Sequence, residues 1–114
     1  MKNLQLTARF VIHDGKLEKF KELAKACMQS TKEKDTGTLQ YDWYFNKEGT
    51  ECVVRETYVD SDAIMAHIGN LGPLLGGLLA ISDFHPELYG APSKALINAT
   101  AALKPKLYAH FQSM

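Results

Sequence analysis

The order in which two hydrophobic periodicities follow one another constrains the fold of this chain more than any single motif does. Residues Leu4–Ile12 alternate apolar and polar side chains, as do Thr38–Phe45 and Glu51–Val59, and such alternation is typical of strands with one buried face. Between the first two segments, Lys16–Lys34 carries apolar residues at the three- and four-residue spacing of an amphipathic helix. The first half of the chain is therefore predicted to fold as β-α-β-β.

The second half of the chain adds two further units of a helix followed by a strand. The predicted elements are a helix that begins near Ala63, a short strand over Phe84–Tyr89, a helix from Ser93 to Leu103 and a last strand over Lys106–Phe111. Pro86 lacks an amide donor and therefore favours an edge position or a bulge in its strand. The complete order, β-α-β-β-α-β with an appended helix and strand, predicts one ferredoxin-like α+β domain over residues 1–114.

Composition argues against several classes of partner and site. The 13 basic residues balance the 13 acidic ones, so no surface for nucleic acid or an anionic membrane is expected. No apolar run approaches the roughly 18 residues of a transmembrane helix, and the N-terminus lacks the apolar core of a signal peptide. The two cysteines show no CxxC spacing, which favours a reduced, cytoplasmic protein, and the four histidines lack the spacing of a zinc site.

Residues 69–80, GNLGPLLGGLLA, combine leucines with glycines that weaken a helix by roughly 1 kcal/mol each. Pro73 suits the first turn of a helix, so this crossover is expected to form two helical pieces. The predicted apolar face of the second piece includes Leu71, Leu74, Leu75 and Leu78. Small residues at positions 72, 76 and 80 have two open explanations, which are close packing against a neighbouring helix and room for a ligand beneath the leucines.

Three side chains are the main candidates for chemistry. His67 can act as a base, orient a ligand carbonyl or carboxylate, or ligate haem iron, but a purely structural hydrogen-bonded histidine fits the sequence equally well. Tyr58 offers a hydroxyl to a ligand oxygen. Glu56 lies on the same strand face and can serve as an acid or base if it is half-buried, or it can form an ion pair with Arg9 or Arg55.

The second strand presents aromatic side chains on both faces. Tyr41, Trp43 and Phe45 share one face, and Tyr44 lies on the other. The length of the following hairpin loop decides which set faces the pocket, since a shift of one residue exchanges the faces. Trp43 and Tyr44 therefore both remain candidates for ligand contact, and His85 is a further candidate either at the pocket mouth or on the exposed surface.

The segments ARFVIHDGKLEKF, GTLQYDW and RETYVDSDAIMAH resemble the antibiotic biosynthesis monooxygenase family of dimeric ferredoxin-like proteins, and the similarity extends from Thr7 to Tyr89. The resemblance implies a homodimer whose sheets pack face to face, with a pocket between each sheet and its helices. It also implies that His67 matches a pocket histidine of the family.

Two functions follow from this resemblance. One is binding of a small apolar ligand, fatty-acid-like or aromatic, and the other is cofactor-independent monooxygenation of a phenolic or polyketide-like substrate with His67 and Tyr58 as catalytic residues. Haem-degrading relatives use a first-strand asparagine with a tryptophan and a histidine. Leu4–Ile12 contains no asparagine, and the third strand carries Tyr58 where a tryptophan would be sought, so no cofactor and no metal are expected.

Overall fold

Five strands form one sheet in the computed structural model, which describes residues 3–114. The strands are β1 (Leu4–Ile12), β2 (Thr38–Phe45), β3 (Glu51–Tyr58), β4 (Ser82–Tyr89) and β5 (Lys106–Tyr108); the helices are α1 (Leu17–Lys34), α2 (Ser61–Leu71), α3 (Pro73–Ala80) and α4 (Lys94–Thr100), followed by a short 3₁₀ helix (Ala101–Leu103). The spatial order is β2-β3-β1-β4-β5, and only β5 runs parallel to its neighbour. The predicted ferredoxin-like α+β fold is confirmed.

The buried face of the sheet meets the apolar faces of the helices. Phe20 and Cys27 of α1 pack against Phe10 of β1 and Val54 of β3, together with Leu78 of α3. These side chains follow the alternation and the helical spacing that the sequence displays. The core therefore lies between the sheet and one layer of helices.

A sharp bend separates α2 from α3. The Asp60 side chain caps α2 by accepting a hydrogen bond from the Ala63 backbone N–H at 2.9 Å, so this helix begins two residues earlier than predicted. Gly72 ends it with φ of 55°, a conformation that favours glycine, and Pro73 begins α3 at an angle of 77° to α2. The prediction of two helical pieces is confirmed.

The glycines of α3 have different surroundings from those predicted. Gly72, Gly76 and Ala80 are exposed, and a Cβ atom at Gly76 would meet no atom within 4 Å. Neither close packing against a neighbouring helix nor room for a ligand therefore explains the small residues at positions 72, 76 and 80. Close packing does explain Gly77, where a Cβ atom would lie 3.2 Å from Leu23 Cδ1 of α1.

The hairpin register settles which face of β2 is buried. Tyr41 pairs with Glu56 and Trp43 with Val54, so these aromatic side chains share the helix-covered face with the inward residues of β3. Tyr44 lies on the opposite face and is 54% exposed.

The last two strands differ in length from the prediction. β4 begins two residues earlier than expected, at Ser82, and β5 ends at Tyr108 instead of Phe111. β5 pairs only with Glu87–Tyr89, which leaves Pro86 on the edge portion of β4 as predicted. Among the described residues no single helix is long and apolar enough to cross a membrane. The bent pair α2–α3 taken together reaches the length and apolar composition of a membrane span.

Candidate functional site

A largely apolar cavity of about 70 Å³ lies between the sheet and helices α2, α3 and α4. Strands β1 to β4 form its floor, and the leucine-rich α2–α3 segment covers it. Six of the lining residues carry polar side-chain atoms, namely Tyr41, Trp43, Glu56, Tyr58, His67 and Thr100. About 70 Å³ is room for roughly five water-sized groups, so the cavity as it stands accommodates a single ring or a short chain.

His67 is held by a buried aspartate that the sequence analysis did not single out. Its Nδ1 lies 2.7 Å from Asp35 Oδ2, and both side chains are at most 5% exposed. Asp35 also accepts hydrogen bonds from Thr38 Oγ1 at 2.6 Å and from Asn70 Nδ2 at 2.9 Å. Burial alone would raise the pKa of Asp35, but these three hydrogen bonds together hold it below its ordinary value.

The imidazole of His67 is therefore oriented and kept neutral. Burial lowers the pKa of His67, and this effect outweighs the opposing influence of Asp35. A neutral imidazole that donates from one nitrogen has a lone pair on the other, which is the requirement for a general base. His67 thus combines two roles that the sequence left open, because it is held by a structural hydrogen bond and it also lines the cavity.

Glu56 faces the same cavity and is 7% exposed. Burial raises its pKa to about 8, although a hydrogen bond donated by the Tyr58 hydroxyl opposes this rise. The predicted ion pair with Arg9 or Arg55 is wrong, because Arg9 Nε lies 3.8 Å from Glu51 Oε1 and Arg55 is exposed on the other face of the sheet. At neutral pH Glu56 is a buried carboxylic acid.

The base and the acid are neighbours. His67 Nε2 lies 3.9 Å from Glu56 Oε1, which is beyond hydrogen-bond range but close enough for one ligand oxygen to contact both. The ring of Tyr41 packs against the imidazole with centroids 4.9 Å apart. The site therefore combines a proton acceptor at His67 Nε2 with the carboxyl group of Glu56 inside an apolar enclosure.

Trp43 adds a donor without a partner. Its indole Nε1 is buried and forms no hydrogen bond with the described part of the chain. A buried N–H group in this state carries a desolvation cost of about 1–3 kcal/mol. The rest of the ring is held by aromatic contacts with Phe10 and Phe20.

The structure brings seven of the ten predicted site residues to the cavity. These are His67, Tyr58, Trp43, Glu56, Leu71, Leu75 and Leu78. Tyr44 and His85 lie instead on the exposed face of the sheet, and Leu74 packs against the core beside the cavity without lining it. The hairpin register keeps Tyr44 out of the cavity. The alternation of β4 turns Phe84 and Pro86 inward and therefore places His85 on the outer face.

Asp35 is the functional residue that the sequence analysis missed. It follows α1 in the polar run KEKD, which is typical of an exposed helix end. Its partners His67 and Asn70 are 32 and 35 residues away, so no local spacing links them. Among residues 3–114 no group of three or more His, Cys, Asp or Glu side chains is placed to hold a metal ion.

Comparison with known proteins identifies one family. The sequence pattern described as "Antibiotic biosynthesis monooxygenase" matches residues 4–70, from β1 almost to the end of α2. That range includes Asp35, Glu56 and His67. No functionally curated protein is similar enough in sequence to count as a match.

Several solved structures share the fold. MupZ from Pseudomonas fluorescens is 24% identical with a TM-score of 0.87, covering 100% of this chain and 94% of its own. SnoaB, a cofactor-independent oxygenase from Streptomyces nogalater, is 18% identical with a TM-score of 0.68 and coverages of 82% and 97%. A protein from Bacteroides thetaiotaomicron, described as a putative antibiotic biosynthesis monooxygenase, is 22% identical with a TM-score of 0.69 and coverages of 82% and 90%. At these identities the likeness shows the fold alone.

Proposed function

Because this chain belongs to the antibiotic biosynthesis monooxygenase family, we propose that it binds a small apolar molecule with one oxygenated end in the cavity beneath α2 and α3. The observation that carries this proposal is the composition of the wall, which is apolar except for a few polar groups that include the neighbouring His67 and Glu56. Such a combination of an apolar enclosure and a few placed polar atoms is typical of small-molecule sites. Acyl chains and aromatic rings both suit the enclosure.

Ligand-induced stabilisation tests this proposal. Short-chain fatty acids, single-ring phenols and single-ring quinones would be screened for a rise in melting temperature, since a ligand that binds only the folded state stabilises it. Leu75→Phe fills the cavity and should abolish the rise. Leu39→Phe, at a position 57% exposed, is the matched control and should retain it. The proposal fails if no compound of these classes stabilises the protein, or if Leu75→Phe leaves the response unchanged.

A second candidate function is cofactor-independent monooxygenation of a phenolic or polyketide-like substrate. The specific observation in its favour is the pair formed by Asp35 and His67, which supplies an oriented base at the cavity. Removal of a proton by His67 leaves an electron-rich anion that can react with dioxygen. One oxygen atom then enters the product as a carbonyl and the other leaves as water, which takes up one hydrogen from the phenol hydroxyl and one from the ring carbon that is oxidised.

Oxygen uptake distinguishes the two candidates. An oxygen electrode with single-ring phenols, which match a cavity of about 70 Å³, would be used on the native protein and on two histidine variants. His67→Gln removes the base, whereas His85→Gln changes an exposed histidine outside the cavity. Uptake in the native protein and the His85 variant, but not in the His67 variant, supports the oxygenase. Ligand binding without any oxygen uptake leaves a binding protein.

Two further parts of the proposal concern the assembly and its surroundings. We propose a homodimer through the sheet face that no helix covers, where exposed Tyr44 pairs with half-buried Val53. Light scattering that shows only monomer at micromolar concentration would contradict the dimer.

A reducing, cytoplasmic setting is supported by the free, buried thiols of Cys27 and Cys52.

A further inference from the structure

We infer that Asp35 is a positioning residue that fixes the tautomer of His67, so that Nε2 presents a lone pair to the cavity and demands a hydrogen-bond donor from the ligand. This inference rests on the proposed binding function for its second half only. Its first half concerns the free protein and is testable without any ligand.

The hydrogen bonds around Asp35 determine where the imidazole proton must be. The carboxylate accepts from Thr38 Oγ1 and Asn70 Nδ2, and its own backbone N–H is tied to the Thr31 carbonyl at 3.1 Å. An ionised carboxylate has only acceptor atoms. His67 Nδ1 lies 2.7 Å from Oδ2 and must therefore carry a hydrogen, since a lone pair there would face a negative charge.

The other ring nitrogen is then an acceptor. A neutral imidazole with its hydrogen on Nδ1 has a lone pair on Nε2. Four ionisable groups face the ring, namely Asp35, Glu56, Tyr41 and Tyr58. Glu56 Oε1 is 3.9 Å from Nε2, which leaves that lone pair without a hydrogen bond from the carboxyl group.

A ligand that approaches this nitrogen needs a donor. A hydroxyl can donate to His67 Nε2, because an oxygen about 2.8 Å from that nitrogen fits between it and Glu56 Oε1, which already accepts from the Tyr58 hydroxyl. An ether, a ketone or a carboxylate offers acceptors alone and leaves the lone pair unpaired. The orientation imposed by Asp35 thus sets the polarity of the ligand group at this end of the site.

Asp35→Asn should reverse the tautomer. The Asn70 amide donates at the position of Oδ1, so the new carbonyl oxygen is expected there and the new NH₂ group at the position of Oδ2. The NH₂ group would then donate to His67 Nδ1 and move the ring hydrogen to Nε2. Thr38 Oγ1 can follow this change because a hydroxyl also accepts.

Nitrogen-15 NMR of the histidine side chains tests the tautomer in the free protein. We expect the native protein to show hydrogen on His67 Nδ1 and Asp35→Asn to show it on Nε2. Asp42→Asn, an exposed aspartate on the outer sheet face, should retain the native pattern. A native spectrum with hydrogen on Nε2 overturns the inference by itself, so the result does not depend on the folding of the variant.

A matched ligand pair tests the consequence for recognition. p-Cresol and its methyl ether have nearly the same shape, but only p-cresol donates a hydrogen bond. NMR titration should show p-cresol binding roughly tenfold more tightly than the ether to the native protein. This preference should disappear or reverse in Asp35→Asn, because the Nε2 hydrogen of that variant can be accepted by the ether oxygen. Equal binding of both compounds to the native protein contradicts the consequence. Binding of neither contradicts the proposed binding function for small phenols, while the tautomer still decides the role of Asp35.

Discussion

Replacing Glu56 with glutamine should remove a pH-dependent loss of stability that the native protein shows near neutral pH. The carboxyl is 7% exposed, and burial raises its pKa from 4.5 to about 8, against the opposing hydrogen bond from Tyr58. The folded state therefore holds a proton that the unfolded state releases. For a group whose pKa is raised in the folded state, the stabilisation is complete below the unfolded pKa and is lost as the pH rises through the folded pKa.

The window between pH 6.5 and pH 8 isolates this effect. Below pH 6.5, His67 changes the stability in the opposite direction. Its pKa is lowered from 6.5 in the folded state, so its contribution to the free energy of unfolding rises with pH up to that value. Above it, the contribution of His67 levels off within about one pH unit, while Glu56 continues to titrate up to its folded pKa of about 8. At about 1.4 kcal/mol per pH unit, with the slope halved at the pKa itself, the native protein should lose roughly 2 kcal/mol across this window.

Urea unfolding at one protein concentration measures the loss, with midpoints and m-values taken at each pH. Glu56→Gln keeps an acceptor for the Tyr58 hydroxyl but cannot ionise, so its unfolding free energy should stay nearly constant. Glu18→Gln, whose wild-type side chain is 88% exposed, should follow the native slope. The reasoning is refuted if Glu56→Gln loses as much stability between pH 6.5 and pH 8 as the native protein does.

Two further predictions concern the helices and the thiols. Gly76→Ala should stabilise the protein by up to about 1 kcal/mol in urea unfolding, because alanine favours a helix and its Cβ atom would meet nothing within 4 Å. Gly77→Ala should gain less, since its Cβ atom would lie 3.2 Å from Leu23 Cδ1, and a larger gain at position 77 would contradict this account of packing. Cys27 and Cys52 are fully buried with pKa values raised to about 11 and about 12, so neither should react with Ellman's reagent until urea is added. Rapid labelling of the native protein would show that one of them is accessible.

The sequence by itself determined the elements and most of their inward faces. The alternation in Leu4–Ile12 and the spacing in Lys16–Lys34 are local patterns, and burial of one face is enough to give each of them a structure. Pro73 marks a helix start because its missing amide donor is harmless in the first turn, and Asp60 marks one through its side-chain cap; neither needs a distant partner. These features account for the confirmed fold and for the placement of His67 and Glu56 on inward faces.

Only the tertiary structure decided which side chains meet. The hairpin loop at residues 46–50 turns Trp43 inward and Tyr44 outward, and a loop one residue shorter or longer would have reversed them. The contact between Asp35 and His67 arises because the end of α1 is carried against α2 by the docking of both helices on the sheet. Hydrogen bonds between residues more than 30 positions apart depend on that docking geometry, which no periodicity along the chain encodes.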